Sequence, residues 1–362
     1  MDRISRKDFL KLAAFTVLGL AGCKFGDAAT QTAATAGQPV NAAAGSAAAD
    51  GISRAKVYFT DKINEDSMVK LYKLINSDIY GKVALKIHTG EQGGKNFLPR
   101  SFVKAVQEQI PGSVIVETNT AYGGGRSTTA RHRATIAANG WNFCPVDIMD
   151  ENGTAVLPVK NGKWFTEMHV GKNLLNYDSL FVLTHFKGHV QGGFGGSDKN
   201  IGIGCADGRI GKAMIHTTPG STNQWDIAKE EFMERMTESS KAVVDHFGKN
   251  IAFVNVMRNM SVSCDCEGTA AEPVVTPNVG ILASLDILAI DQASVDLIYA
   301  MKETDRKALV TRMETRHGLR QLTYMKELGM GNDKYKLIDI DNGDKEITLE
   351  EAVKDVVPFK SE

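Results

Sequence analysis

The chain has 362 residues, with 42 lysines and arginines against 43 aspartates and glutamates and a formal net charge of -1. That length can bury a sizeable core, and the balance of charge excludes the broad basic surface of a nucleic-acid-binding protein. Glycine, at 35 residues, exceeds ordinary usage, and one run of the chain concentrates it.

The first residues read as an export signal. A positive stretch over residues 2–11 precedes an apolar run over residues 12–21, too short to span a bilayer as a helix. The run ends in Leu20-Ala21-Gly22-Cys23, which resembles the bacterial lipoprotein processing site, with Cys23 as the lipidated first residue. An ordinary signal peptide is the alternative. Residues 5–11 resemble the twin-arginine export signal, but Lys7 stands where the second arginine is expected, so general secretion remains open. The implied protein is an exported, membrane-anchored lipoprotein on the periplasmic or extracytoplasmic side. Residues 24–52 are rich in alanine and poor in large apolar groups. They read as a disordered tether, leaving residues 53–362 as a single α/β domain.

In that domain short apolar runs alternate with helical patterns. KVYFT, GKVALKIHT, SVIVETNTAY, SLFVLTH, IAFVNVM and VGILASLD read as strands bounded by Gly, Pro, Asn or Asp. Several are continuously apolar, as strands covered on both faces are. SMVKLYKLINS, FMERMTESSKAVVDHFG and GLRQLTYMKELG carry apolar residues at helical spacing, the last two closed by Gly248 and Gly329. Such alternation predicts a mainly parallel central sheet flanked by helices. Residues 144–176, with an Asn-Gly turn signal, predict an irregular or hairpin-containing insertion.

Candidate chemistry lies in four places. The first, Tyr122-Gly123-Gly124-Gly125-Arg126, follows a strand and precedes a helix, the edge where open α/β sheets collect ligands. There Arg126 can meet an acidic group with its bidentate fork. The second is the glycine-rich run over residues 184–212. His185 and His189 are four apart and can bind a metal, or one of them can contact a ligand. Gly192, Gly193, Gly195 and Gly196 can bring backbone N–H groups close to an anion, with Lys187, Lys199 and Lys212 adding charge. The spacing fits neither a Walker loop nor a dinucleotide fingerprint.

The third place is Cys264-Asp265-Cys266, two soft donors one residue apart. With Cys205 as a further thiol they can hold a metal. A disulfide, buried thiols or a redox-active dithiol are the alternatives, and the close C-x-x-C runs of ferredoxins are absent. The fourth is Asp286, best read as a helix cap.

Together, Phe186-Lys187-Gly188-His189, Gly195-Gly196, Lys199-Asn200-Ile201-Gly202, Cys264-Asp265-Cys266-Glu267-Gly268 and Val279-Gly280-Ile281-Leu282 resemble the domain of unknown function 362 family, over roughly residues 54–340. Members are often labelled iron-sulfur-centre proteins, and some carry an added ferredoxin-like module that this chain lacks. Cys264 and Cys266 match the family's C-D-C-x-G element, and Lys187, His189, Lys199 and Asn200 its glycine-rich element.

The resulting expectation is a metal-dependent or redox enzyme acting on a small anionic substrate. Cys264, Cys266, Cys205 and His185 would hold a metal ion or iron-sulfur cluster. His189 and Lys187 would be catalytic. Gly192, Gly193, Gly195, Gly196, Lys199, Asn200 and Arg126 would bind the ligand. A non-catalytic lipoprotein that binds a small anion or partner, with structural cysteines, is the competing reading. The sequence sets no oligomeric state.

Overall fold

The computed structural model describes residues 53–360. The export signal, Cys23 and the tether lie outside the described residues. Among the described residues no helix is long and apolar enough to cross a membrane, a correction to the membrane assignment read from the amino terminus.

Thirteen strands are described: β1 Ala55–Thr60, β2 Val83–Lys86, β3 Val114–Glu117, β4 Val146–Ile148, β5 Thr154–Pro158, β6 Glu167–Gly171, β7 Ser179–His185, β8 Lys187–His189, β9 Gly193–Gly195, β10 Ile251–Met257, β11 Gly280–Ser284, β12 Tyr335–Asp339 and β13 Lys345–Ile347. Between and after them run α1 Glu65–Ile75, α2 Arg100–Gln107, α3 Thr129–Ala138, α4 Ser197–Gly204, α5 Gly211–His216, α6 Lys229–Phe247, α7 Ile287–Ala300, α8 Glu303–Thr315, α9 Arg320–Glu327 and α10 Leu349–Val353.

Nine strands form one sheet in the order β13-β12-β1-β11-β10-β7-β2-β3-β4. Five neighbouring pairs are parallel; the pairs made by β11 on both sides, and β12 with β13, are antiparallel. The central sheet is therefore mixed, with helices on both faces. Strand β7 shows why its sequence is continuously apolar. Leu180 and Val182 enter the core on one face, and Phe181 and Leu183 enter the core on the other, so no position faces water.

Local signals place the helices. Asn64 accepts the N–H of Ser67 at 2.9 Å and starts α1, whose Met68, Leu71, Tyr72 and Ile75 are buried. Gly248, at φ +57°, ends α6. Asp286 caps α7 by accepting the N–H of Ala289 at 2.9 Å. It lies at the sheet edge away from the carboxyl ends of β7 and β10, because β11 runs against them.

The insertion is a two-stranded hairpin, β5 with β6, and Asn161 takes φ 59° at its Asn-Gly turn. The glycine-rich run, read from sequence as a loop, begins as a second small hairpin, β8 with β9, that passes directly into α4.

Strands β2, β3, β7 and β10 are mutually parallel, so their carboxyl ends share one edge. From β2 the chain moves outward to β3 and β4, then returns through β7 and β10 on the other side. The β2–β7 junction is thus a topological switch point, where a crevice opens in sheets of this kind.

Candidate functional site

A cavity of about 400 Å³ opens at that edge, within the size range of small-molecule sites. Lys86 and His88 line it from the end of β2, Glu117 from β3, His185, Lys187 and His189 from β7 and β8, Lys199 and Asn200 from α4, and Cys266 from the segment after β10.

The centre forms where β8 lies against the cysteine segment. Gly188 donates its N–H to Ser261 at 2.7 Å, and a Cβ on Gly188 would sit 2.4 Å from the Val262 carbonyl oxygen. Only glycine permits that approach. Gly188→Ala is therefore expected to cost about 1–3 kcal/mol of stability through overpacking, measured by chemical denaturation. The approach brings one donor atom each from His189, Cys264 and Cys266 within 4.8 Å of one another.

Asp265, between the two cysteines, ties this turn down. It is buried, pairs with Nδ1 of His185 at 2.8 Å and lies 3.3 Å from Nζ of Lys187. Burial opposes its charge, but His185 and Lys187 outweigh that cost and hold its carboxyl below the usual range. Nε2 of His185 meets the carbonyl oxygen of Arg258 at 2.7 Å. Both ring nitrogens of His185 are thus engaged, and the residue stands beside the donor set rather than in it.

The protonation states of Cys264 and His189 suit a metal, and Cys266 would release its proton on binding one. A hydrogen bond from Cys266 is the main influence holding the Cys264 thiol well below its ordinary value, and Lys199 and His189 act in the same direction against burial. Cys266 is pushed up, since it keeps the proton it shares with Cys264. Burial, helped by the charge of Lys199, brings His189 down to about 4. A thiolate and a neutral imidazole are the ligand forms of these groups.

The donor chemistry fits a borderline or soft ion. Bonds of about 2.0–2.3 Å would need donors roughly 3.5–4 Å apart, so loading draws the three slightly inward. Nδ1 of His189 accepts the N–H of Gly192 at 2.8 Å, which leaves Nε2 as the nitrogen without a backbone partner. A neutral ring that held an ion through Nε2 would carry its proton on Nδ1 and would give up the Gly192 contact.

The other predicted residues fall around this centre. Cys205 is apart from it, buried in the core, with its thiol pushed up to about 12 by burial. The four cysteines Cys144, Cys205, Cys264 and Cys266 are all free. Arg126 lines the cavity but is committed to Glu91 at 2.8 Å and the Tyr122 hydroxyl at 2.7 Å. Asn200 accepts from Lys86 at 3.1 Å and donates to Thr184 Oγ1 at 2.9 Å. Gly195 and Gly196 line the cavity. Gly192 and Gly193 instead meet Gln321 and Gly318: the Gln321 amide donates to the Gly192 carbonyl at 2.7 Å, and the Gly193 Cβ position lies 2.8 Å from Gly318.

Sequence reading missed Lys86 and Glu117 on the far wall, and offered Lys212 there only as added charge. Lys86 is buried and lies 3.3 Å from Glu117, whose charge Lys86 and Arg126 sustain against burial. Lys212 donates to Thr118 Oγ1, Asn119 O and Ala206 O at 2.6–2.8 Å, and burial brings it down to about 8. A lysine inside the apolar strand VALK was the available signal for the first. Most cations of the cavity are thereby spent on carboxylates or carbonyls. Lys199 differs: it is buried, and among the described residues its ammonium makes no ion pair or hydrogen bond.

Residues 83–296 match the family described as "Domain of unknown function (DUF362)". Two solved structures are similar. A Thermotoga maritima protein is 13% identical, with 55% of this chain and 51% of that chain covered and a TM-score of 0.35; this chain thus spans about half its length. The lactate racemase apoprotein from Thermoanaerobacterium thermosaccharolyticum is 11% identical, with 83% and 85% covered and a TM-score of 0.37. No curated protein matches.

Proposed function

We propose that the chain, which belongs to the DUF362 family, is a metal-dependent enzyme acting on a small anionic substrate, its metal held by His189, Cys264 and Cys266. One observation carries this reading: a His/Cys/Cys donor set meets a cavity beside Lys199, a buried ammonium that pairs with no carboxylate among the described residues. Three protein donors leave a fourth position open, where a bound divalent ion supplies Lewis acidity.

The chain's own residues divide the remaining work. Lys199 meets the charge of the substrate. Lys187 and His185 grip Asp265 and so hold both cysteines in place, which makes them positioning residues. His189 serves as a ligand in this reading rather than as a base. Lys86 and Arg126, matched by Glu117 and Glu91, form an internally neutralised wall that does not compete for the anion.

A second reading, a binding protein with structural cysteines, draws on one observation. Cys264 Sγ accepts the N–H of Cys266 at 3.4 Å, and the Cys264 N–H bonds Glu267 at 2.8 Å, so Cys264 also caps its own turn. Elemental analysis of the chain isolated without oxygen separates the two. About one metal ion per chain is expected, lost in Cys264→Ser and in Cys266→Ser and retained in Cys205→Ser. A metal-free protein that also fails to take up Zn²⁺, Fe²⁺ or Ni²⁺ would favour the second reading.

A further inference from the structure

We infer that the substrate is an organic monocarboxylate carrying an aromatic or branched apolar group, and that Trp225 and Val190 form the subsite for that group. The inference rests on the anion-binding reading above and adds the class of molecule.

The cavity has two unlike regions. Its interior holds Lys199 and the donor set. Its mouth exposes two large apolar side chains, Trp225 at 38% and Val190 at 43%. Val190 directly follows the ligand candidate His189. Trp225 is not a loose surface residue. Its ring packs edge-on to the buried ring of His216, with centroids 4.7 Å apart and planes at 79°. His216 is fixed in turn: it bonds the Lys212 carbonyl through Nδ1 at 2.8 Å and leans on Phe232 at 5.1 Å. It also lies close enough to Lys199 to feel its charge. The ring of His216 thus fixes Trp225 at the mouth of the same cavity that Lys199 and His189 line.

A tryptophan side chain offers some 150–250 Å² of largely apolar surface. Holding it half-open at the rim leaves that gain unrealised until a ligand covers it. The charge count favours a carboxylate. Lys86, Arg126 and Lys187 already face Glu117, Glu91 and Asp265; Lys199 and Lys212 have no carboxylate partner among the described residues, and the Cys264 thiolate offsets one of them, which leaves a surplus of one positive charge for one negative one. The volume, about 400 Å³, suits an organic molecule better than a bare inorganic ion.

The test titrates the full chain, metal-free and Zn²⁺-loaded, with acetate and with phenylacetate, read by calorimetry and tryptophan emission. Phenylacetate should bind at least about tenfold more tightly and perturb the emission. Trp225→Ala should erase the preference, weakening phenylacetate about tenfold more than acetate. Trp225→Phe should keep most of the preference, and Lys199→Met should weaken both ligands together. Equal affinities in the natural chain, or a preference that survives Trp225→Ala, would overturn this inference while leaving the anion site intact. Failure of both carboxylates to bind in either metal state would overturn the inference and the anion reading with it.

Discussion

Lys199→Met is expected to weaken carboxylate binding by about 10- to 150-fold, because a hydrogen bond to a charged group contributes about 1.5–3 kcal/mol. The loss should come without a loss of stability. Methionine preserves the apolar stem that packs beside Gly195, and it removes a buried ammonium that pairs with no carboxylate. A residue that weakens the fold or leaves it unchanged while serving a ligand is the pattern of a functional position. The variant should also raise the Cys264 thiol, since Lys199 is among the groups that hold it down. Calorimetry with acetate, thermal unfolding and thiol titration by absorbance read the three effects. Affinity within threefold of the natural chain would remove Lys199 from the site. Unchanged affinity with a lower melting point would make it a structural lysine.

Much of the sheet was legible because its strands are buried on both faces. SLFVLTH and IAFVNVM coincide with β7 and β10, whose every residue is buried. Direction was not legible. GILAS is as apolar as its neighbours, and nothing in it reports that β11 runs against them; its direction follows from the connection that precedes it. Strand β12 went unread because Tyr335, Lys336 and Asp339 are only half-buried, so the run carries charges that read as loop.

The site was legible as a set of residues and not as an arrangement. Cys264, Cys266, Lys187, His189 and Lys199 were singled out by type and spacing. The partition of the two histidines was not, because His185 and His189 are chemically alike. Asp265 decides it by engaging His185 from within the cysteine turn, a contact across 80 positions of sequence. The glycines were read as anion donors for want of knowledge of what lies opposite them. Gly188, outside that set, admits the Val262 backbone, and Gly196, within it, instead admits the Asp291 carboxylate, each 2.4 Å from where a Cβ would sit.

That last contact leads to the other large effect. Asp291 accepts the N–H groups of Ser197 and Asp198 at 2.8 and 2.9 Å, so it anchors the start of α4, the helix that carries Lys199 and Asn200 to the cavity. Asp198 is fully buried beside it. One of its carboxyl oxygens accepts from Thr237 at 2.8 Å, and the other has no partner among the described residues. Burial, reinforced by the neighbouring charge of Asp291, pushes Asp198 up to about 7, and burial pushes Asp291 up to about 6. In the unfolded chain both titrate near 3.9. Between these values the folded protein binds more protons than the unfolded one, so stability falls as pH rises. The contribution is fully present below about pH 4 and is lost as pH passes through about 7. Asp198→Asn removes the charge that is hardest to bury. It should raise stability at pH 8 by on the order of 2–4 kcal/mol, change little at pH 4, and flatten the slope between. Urea unfolding at a series of pH values measures this through the midpoint, with the dependence on urea unchanged. Parallel pH curves for the variant and the natural chain would mean that Asp198 is not the group being charged. A flattened curve would locate the cost of a buried acid pair at the foot of the helix that presents Lys199, where rigidity matters most to the site.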